Sequence, residues 1–523
     1  MNLPGRDTAG GRLLLFAVAI VGAGAIALAP SPAGLSLRGQ FAVATTYFAA
    51  VLWVSGALPL AVTALSIPAL LTTLRVYPTL DPALAGFADP FIFLFIAGFM
   101  LANALQKYDI DRRIALWMIA RLGASARLLV LAVMLATAFL SMWVSNTATT
   151  AMMTPIALGV LAQVIGRDEI EEQGEDKEAF SNMQIATLLG TAYAASVGGV
   201  GTLIGSPPNA IVAAQLNSIL GYRLSFFDWL LIGLPVVIIT LPIVWYVLTF
   251  RLYPPDVTDV SGAREEAREY LREEGALSTR GRRVAVIFTV TAVLWVVGGL
   301  GFVFEGLIPT PIFNTVFGAD GGPTIFGGLT GHEGVLYYVM VGLYAIPALV
   351  LADTADWDDL VDIDWGTILL FGGGIALADA LEATGATGWF ADTVFGSLVG
   401  MPIVIVVGVI VLSVIFLTEM TSNTATATII APILIGLGGV LAGTLGVTEP
   451  AAGIVLAVSG AVAASFAFAL PVATPPNAIV FGSGHMNQSH MLRAGLILNV
   501  LMTIVLTGLF VLLFTYVWPV VLF

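Results

Sequence analysis

Long apolar segments alternate with short polar connections along almost the whole chain. After a first apolar run at 13–29, such segments fall at about 41–56, 57–75, 90–106, 125–165, 183–220, 229–250, 284–304, 335–352, 366–381, 401–440, 450–482 and 494–522. Because about 20 apolar residues cross a bilayer as a helix, this pattern predicts an all-α polytopic membrane protein with about 11 transmembrane helices. The first run ends in small residues and resembles a cleaved signal peptide, but we favour a retained span because the topology requires it.

Two of the apolar segments, 125–165 and 401–440, are too long for a single span and carry a polar triplet in the middle. The triplets are Ser145-Asn146-Thr147 and Ser422-Asn423-Thr424. We interpret each segment as a re-entrant helical hairpin whose polar tip ends inside the membrane. Such tips are tolerated where protein or a water-filled cavity satisfies the backbone polar groups.

Two further segments, 183–220 and 450–482, are interrupted by a proline pair. The interruptions read Gly205-Ser206-Pro207-Pro208-Asn209 and Ala473-Thr474-Pro475-Pro476-Asn477. Two consecutive prolines remove two backbone donors, so they break an apolar helix. The sequence therefore predicts two broken helices in addition to the two hairpins.

The hairpins and broken helices recur in the same order in the two halves of the chain. The triplets are related by an offset of 277 residues (145 to 422), and the proline-pair loops by 268 (205 to 473). The preceding segment FLFIAGFMLANAL at 93–105 matches LLFGGGIALADAL at 369–381. With a cytoplasmic N-terminus, the first hairpin enters from inside and the second from outside. Inverted repeats with broken helices at matching positions are typical of secondary transporters.

Charge distribution supports this orientation. Non-crossing hairpins place the cluster from Lys107 to Arg127, the stretch 251–283 and Arg493 in the cytoplasm, as the positive-inside rule requires.

The predicted divisions are 1–124 (N-terminal scaffold helices and start of the first repeat), 125–250 (first hairpin and broken helix, a transport part), 251–283 (charged cytoplasmic linker), 284–400 (scaffold helices of the second repeat) and 401–523 (second hairpin, broken helix and last helix, a transport part). We expect the protein in the cell (inner or plasma) membrane.

Composition excludes several other classes of protein. Only 10% of residues are charged and 58% are hydrophobic, whereas soluble domains carry about 25% charged residues. The chain has no cysteine and three histidines, so thiolate and histidine-cluster metal sites are excluded. The net charge of -14 comes mostly from polar connections, and nothing resembles the clustered positive charge of a nucleic-acid surface. The islands at 167–178 and 251–283 are predicted to be hydrated, the second containing a short ion-paired helix.

The repeated motifs contain hydroxyl groups, amides and unwound backbone, with no charged residue inside them. Carbonyl oxygens freed by a helix break can coordinate a hard cation such as sodium together with Ser, Thr and Asn oxygens. The same break creates helix N-termini, whose free N–H groups and positive dipole ends attract an anion. One structural device therefore predicts both a cation site and an anion site.

The paired triplets, the following Pro-Pro-Asn loops and the segment TEMTSNT at 418–424 resemble those of the divalent-anion/sodium symporter family, which includes solute carrier family 13. The resemblance covers about residues 40–520. It implies a homodimer in which each protomer has a scaffold part and a mobile transport part. The mobile part would move as an elevator that carries sodium ions and a small divalent anion through the lipid bilayer.

The resemblance also assigns residues to roles. It implies a first sodium site at Ser141, Ser145, Asn146 and the backbone near Gly205, and a second at Thr418, Ser422, Asn423 and the backbone near Ala473. It places the anionic substrate at Asn146, Thr147, Ser206, Asn423, Thr424, Thr474 and Pro475. Sodium is the expected co-substrate, and no catalytic residue is expected.

We expect a sodium-coupled symporter of C4-dicarboxylates. A sodium/sulfate symporter is the alternative, because hydroxyl, amide and backbone donors serve both kinds of anion. Exchange of one dicarboxylate for another also stays open.

The intramembrane acids Asp379 and Glu419 are candidates for function by default, and they raise the rival hypothesis of an intramembrane aspartyl protease. They have no catalytic signature around them. Met142, the counterpart of Glu419 in the first repeat, cannot ionise, which excludes a symmetric role. We therefore interpret Glu419 as an orienting residue, with proton coupling as the alternative, and Asp379, which aligns with Asn103, as a polar packing residue. No phosphate-binding loop of an ATP-driven pump occurs.

Overall fold

The computed structural model describes residues 8–165, 180–325, 327–329 and 331–518. These residues are mostly helical, and the charged island at 167–178 lies outside them. Among the described helices, nine are long and apolar enough to cross a membrane. The prediction of an all-α polytopic membrane protein is confirmed.

The helices follow the predicted segments closely. Their bounds are α1 Ala9–Leu28, α2 Leu37–Ser55, α3 Leu60–Thr73, α4 Leu80–Leu84, α5 Pro90–Lys107, α6 Ile110–Leu122, α7 Ala126–Ser141, α8 Asn146–Ile165, α9 Asn182–Gly199, α10 Pro207–Leu220, α11 Phe226–Tyr246, α12 Ser261–Glu273, α13 Thr279–Gly298, α14 Gly301–Phe304, α15 Thr310–Phe317, α16 Tyr338–Leu351, α17 Trp357–Val361, α18 Trp365–Ala383, α19 Ala386–Phe395, α20 Ile403–Met420, α21 Asn423–Leu445, α22 Glu449–Ala463, α23 Pro475–Gly482 and α24 Gln488–Leu512. Four short strands, β1 Gly318–Ala319, β2 Gly322–Thr324, β3 Gly327–Leu329 and β4 His332–Glu333, form the antiparallel pairs β1–β4 and β2–β3.

The chain divides into two compact units. The flanking unit consists of residues 1–92, 206–223 and 364–523, and the central unit of residues 93–205 and 224–363. The flanking unit thus contains the second hairpin (α20, α21), the second broken helix (α22, α23) and α10. The central unit contains the first hairpin (α7, α8) and α9.

Close helix packing in the flanking unit depends on glycine. A Cβ atom at Gly373 of α18 would lie 2.7 Å from the Ala64 side chain of α3, and one at Gly374 would overlap the Thr428 side chain of α21. Buried side chains of α2, α3, α18 and α21 fill the same core. Gly373 and Gly374 are therefore packing residues, because small residues let membrane helices approach closely.

The charged helix α12 of the central unit has a buried face as well as a solvated one. Ala263 and Ala267, one turn apart, are buried, and the helix packs against α6 and α8. On its outer face Arg268 pairs with Glu265 at 3.4 Å. The predicted ion-paired helix is confirmed. The segment is more than a hydrated linker, because the small residues on one face of α12 let it pack against α6 and α8.

Arg113 of α6 holds the C-terminal end of α12. Its guanidinium donates to the carbonyl oxygens of Gly275 (2.7 Å) and Glu274 (3.1 Å) and lies 3.3 Å from the Glu274 carboxylate. Hydrogen bonds to a charged group contribute about 1.5 kcal/mol or more. We therefore expect Arg113→Ala to accelerate trypsin cleavage within 251–283 by about tenfold.

The matched control for this prediction is Arg268→Ala, which removes an exposed ion pair on the same helix. Exposed pairs contribute little to stability, so the cleavage rate should stay close to that of the wild type, apart from the lost site at Arg268 itself. Equal cleavage rates in the Arg113→Ala variant and the wild type would contradict the docking role of Arg113.

Candidate ion-binding sites at the two helix breaks

The first hairpin turns at Met142–Ser145, where α7 ends and α8 begins. Ser145 caps α8, since its Oγ accepts a hydrogen bond of 3.2 Å from the Ala148 backbone N–H. Asn146, the first residue of α8, therefore points its side chain back toward the end of α7. This geometry follows from the sequence, because Ser is a preferred N-cap residue.

Four polar groups meet beside this turn, and we call them cluster 1. They are the hydroxyl of Ser141, the amide of Asn146, and the carbonyl oxygens of Ala195 and Gly205. Ser141 Oγ lies 2.6 Å from Asn146 Oδ1 and 2.8 Å from the Ala195 oxygen. The Ala195 carbonyl belongs to α9, and Gly205 belongs to the break between α9 and α10.

The Asn146 amide in cluster 1 has two possible orientations with different chemistry. Its inner atom lies 2.6 Å from Ser141 Oγ, 3.1 Å from the Ala195 oxygen and 3.2 Å from the Gly205 oxygen. With the nitrogen inward, the amide donates hydrogen bonds to these groups. With the oxygen inward, the amide accepts from the Ser141 hydroxyl, and the carbonyl oxygens of Ala195 and Gly205 lie 3.1 and 3.2 Å from it. Converging neutral oxygens of this kind suit a hard monovalent cation.

Small residues keep cluster 1 compact. A Cβ atom at Gly205 would lie 2.6 Å from the Gly199 carbonyl oxygen and 2.9–3.0 Å from those of Ser141 and Met142. A Cβ atom at Gly199 would overlap the Asn146 amide. The backbone carbonyls therefore approach one another only because both positions lack a side chain.

The second hairpin repeats three of these four groups, which we call cluster 2. Thr418 Oγ1 lies 2.8 Å from Asn423 Oδ1 and 2.9 Å from the carbonyl oxygen of Ala464, at the end of α22. Thr418, Asn423 and Ala464 occupy the places of Ser141, Asn146 and Ala195. Ser422 caps α21 through a 3.1 Å hydrogen bond from the Ala425 N–H, as Ser145 caps α8. The duplicated sequence thus produces a duplicated hydrogen-bond pattern.

Each predicted break creates a helix N-terminus that begins directly after a hydroxyl residue. Helices α8, α10, α21 and α23 begin after Ser145, Ser206, Ser422 and Thr474. Thr474 accepts a 3.2 Å hydrogen bond from the Asn477 N–H. Ser206 Oγ lies 3.4 Å from Ser465 Oγ, which places the start of α10 beside the residue that follows Ala464. Free N–H groups at such positions favour a negatively charged ligand.

The structure brings some of the predicted site residues into the two clusters and places the others outside them. Ser141, Asn146 and Gly205 meet in cluster 1, and Thr418 and Asn423 meet in cluster 2. Ser145 and Ser422 use their hydroxyls as helix caps. Thr147 and Pro475 are exposed, Thr424 is half-buried, and Ser206, Ala473 and Thr474 are buried.

Sequence reasoning missed the two carbonyl groups at Ala195 and Ala464. A signal was present, because the pair Ala195-Ser196 matches Ala464-Ser465 shortly before the two proline-pair loops. Ala464 follows directly after α22, where carbonyl groups lose their helical partners, whereas Ala195 lies within the last five residues of α9.

The two intramembrane acids lie in different surroundings of the flanking unit. Asp379 of α18 accepts a hydrogen bond from the Ser218 hydroxyl of α10. Glu419 of α20 is bound by backbone N–H groups of the second break. Two acids facing each other are the requirement of an aspartyl protease, and these two have separate hydrogen-bond partners.

Comparison with known proteins identifies the family. Residues 11–523 match the family model described as the sodium:sulfate symporter transmembrane region. The chain belongs to the sodium:sulfate symporter family. The predicted resemblance to divalent-anion/sodium symporters is thereby confirmed. Members of this family are transporters and not enzymes.

Individual relatives of this sodium:sulfate symporter family member cover most of its length. An uncharacterized transporter of Haemophilus influenzae is 39% identical over 88% of this chain and 88% of its own. The sodium-dependent dicarboxylate transporter SdcS of Staphylococcus saprophyticus is 35% identical over 91% of this chain and 86% of its own. SdcS of Staphylococcus aureus strain USA300 is 34% identical over 94% and 88%.

A solved structure shares the fold. The YdaH transporter of Alcanivorax borkumensis superposes with a TM-score of 0.53 over 84% of this chain and 87% of its own, at 13% sequence identity. At that identity the likeness concerns the fold alone.

Proposed function

We propose that this protein is a sodium-coupled symporter that imports small divalent anions, and that C4-dicarboxylates are its substrates. The observation that carries the proposal is the duplicated oxygen cluster, with a hydroxyl, an amide and a backbone carbonyl in each repeat. Neutral oxygens at helix breaks are the ligands that secondary transporters use for sodium. The dicarboxylate transporters SdcS, similar over more than 90% of this chain, support the choice of substrate.

Two sodium sites follow from the clusters. In the first, Ser141 Oγ, Asn146 Oδ1 and the carbonyl oxygens of Ala195 and Gly205 hold the ion. In the second, Thr418 Oγ1, Asn423 Oδ1 and the Ala464 carbonyl do so. Sodium enters as a transported ion, and its binding aligns the amides whose other faces are available to the anion.

The anion is bound by helix N-termini and neutral side chains. In the flanking unit, the starts of α10, α21 and α23 supply Ser206, Asn423, Thr424, Thr474 and Pro475 as its surroundings. Asn146 and Thr147, at the start of α8, stay predicted contacts from the sequence. Because these groups are uncharged, a dianion is held by hydrogen bonds and dipoles, which fits a substrate that must also be released.

The cycle needs both kinds of ligand. Two or more sodium ions offset the charge of a dianion, so the loaded site crosses the membrane with little net charge. The sodium gradient then drives uphill anion uptake. The homodimer and the elevator motion remain predictions of the resemblance. The cytoplasmic N-terminus and the inner or plasma membrane location remain predictions from the hydrophobic pattern and the charge distribution.

Uptake into proteoliposomes tests this function. With an inward sodium gradient, labelled succinate should accumulate above its external concentration, and replacement of sodium by choline should reduce uptake to the level of empty vesicles. Labelled sulfate serves as the competing substrate. Accumulation of sulfate without succinate would replace the substrate assignment, and succinate accumulation that ignores sodium would reject coupling. Counterflow of internal succinate without sodium would instead support exchange.

A further inference from the structure

Glu419 binds the backbone of the second helix break. Its carboxylate, 5% exposed, accepts hydrogen bonds from the N–H groups of Phe468 and Ala469 at 2.7 Å and of Leu470 at 3.0 Å. The side-chain amide of Asn499 in α24 adds a fourth at 2.6 Å. Three consecutive backbone N–H groups of the break thus donate to one side chain.

The same break is held from its carbonyl side by Asn477. Its Nδ2 donates to the carbonyl oxygens of Ala467 (3.0 Å) and Leu470 (3.1 Å). The Leu470 oxygen also accepts from the Ala473 N–H at 3.2 Å. A continuous series of hydrogen bonds therefore leads from the Glu419 carboxylate through Leu470 to Ala473.

In the first break, the described contacts come from hydroxyl, backbone and indole groups. Met142 occupies the repeat position of the glutamate, and its carbonyl oxygen accepts a hydrogen bond from the Thr202 hydroxyl. Thr202 Oγ1 also accepts from the Gly205 N–H at 3.1 Å, and the indole of Trp229 donates to the Val200 oxygen at 2.8 Å. The two breaks, 200–206 and 464–474, are thus held by different groups.

Helix α24 fixes the position of the second break sterically. A Cβ atom at Gly495 would overlap the backbone of Phe468 and Ala469. Gly495 and Asn499 are four residues apart and therefore lie on one face of α24. The break therefore lies between this face of α24 and the Glu419 side chain, in contact with both.

We infer that Glu419 is a positioning residue for cluster 2, through which it sets the affinity of the second sodium site. This inference rests on the proposed function. Unpaired backbone N–H groups in a dry, membrane-embedded segment are costly, so the break keeps its shape only while an acceptor faces them. Its backbone runs from Ala464, a ligand of cluster 2, to Thr474 at the start of α23.

The consequence is an asymmetry between two similar sites. Loss of the acceptor at Glu419 should weaken sodium binding at cluster 2. Sodium binding at cluster 1 should not change, because the residues that support the first break belong to the central unit. The sodium concentration for half-maximal effect should then rise, while the transport rate at saturating sodium is largely retained. A residue needed only for folding would lower stability without changing the sodium concentration for half-maximal effect.

The test compares Glu419→Gln with the wild type in two assays on the full-length protein. The first measures the melting temperature in detergent as sodium replaces choline, and the second measures sodium-dependent succinate uptake in proteoliposomes. Glutamine keeps one acceptor oxygen but turns an amide NH2 group toward at least one of the three N–H donors, so the half-maximal sodium concentration should rise by about tenfold in both assays. Asp111→Asn, which also replaces a buried carboxylate by an amide, is the matched control and should leave it unchanged.

A second variant keeps the inference testable if Glu419→Gln fails to fold. Gly495→Ala retains the carboxylate but displaces Ala469, and should raise the half-maximal sodium concentration by about threefold. Sodium dependence equal to the wild type, with or without a lower melting temperature, would overturn the inference while leaving the proposed function intact. A wild-type protein that responds to sodium in neither assay would overturn both.

Discussion

Replacing Asn146 with alanine should abolish sodium-driven succinate uptake. The substitution removes the group that links Ser141, Ala195 and Gly205 in cluster 1. Loss of groups around a metal ion costs about 10–100-fold in affinity even outside the direct ligands, so uptake at moderate sodium should fall by about 100-fold. Initial uptake rates at a series of sodium concentrations measure the effect.

The equivalent change in cluster 2, Asn423→Ala, should be as severe, because Asn423 is the partner of Thr418. Asn103→Ala provides the control: Asn103 also lies in a predicted membrane helix, but its amide donates to the carbonyl oxygen of Asp362. This variant should transport normally. Full activity of either cluster variant would remove that asparagine from the proposed sites.

Adding a single methyl group at Gly205 should also disable cluster 1. The new Cβ atom would lie 2.6 Å from the Gly199 oxygen and within 3.0 Å of two other carbonyl oxygens. Overpacking of this kind costs about 2 kcal/mol, which corresponds to about a 30-fold rise in the sodium concentration for half-maximal uptake. Sodium titration of uptake by Gly205→Ala measures the change.

The matched control is Gly159→Ala in α8 of the same unit. A Cβ atom there meets nothing within 4 Å, and alanine is the better helix former. Sodium dependence should therefore equal that of the wild type. If Gly205→Ala behaved like Gly159→Ala, the tight approach of carbonyl groups in cluster 1 would have no role in sodium binding.

The positions of the breaks could be predicted from the sequence because proline and polar residues interrupt apolar runs. The triplets at 145–147 and 422–424 and the proline pairs at 207–208 and 475–476 all mark helix starts in the structure. The pairing of Ser141 with Asn146 and of Thr418 with Asn423 follows from proximity along a hairpin. These features depend on local sequence, and the duplication makes each of them stand out.

Backbone ligands were harder to predict. The carbonyl groups of Ala195 and Ala464 come from residues with no polar side chain, more than 40 positions beyond the hydroxyls that they contact. A sequence pattern identifies side chains, whereas a carbonyl group becomes a ligand only through the packing of helices.

The environment of Glu419 could be predicted only in part. The comparison of repeats showed that Met142 occupies the equivalent position, which excluded a symmetric role. Its partners, the N–H groups at 468–470 and the amide of Asn499, lie about 50 and 80 positions further along the chain. Tertiary packing, not periodicity, brings them to the carboxylate.

The most direct test of the account is an experimental structure determined in sodium and, in parallel, in choline. In sodium, an ion should occupy each cluster, coordinated by Ser141, Asn146 and the two carbonyl oxygens in one, and by Thr418, Asn423 and the Ala464 oxygen in the other. The ions should be absent in choline. A structure in sodium with no ion in either cluster, and with the Asn146 nitrogen donating to the Ala195 oxygen, would contradict it.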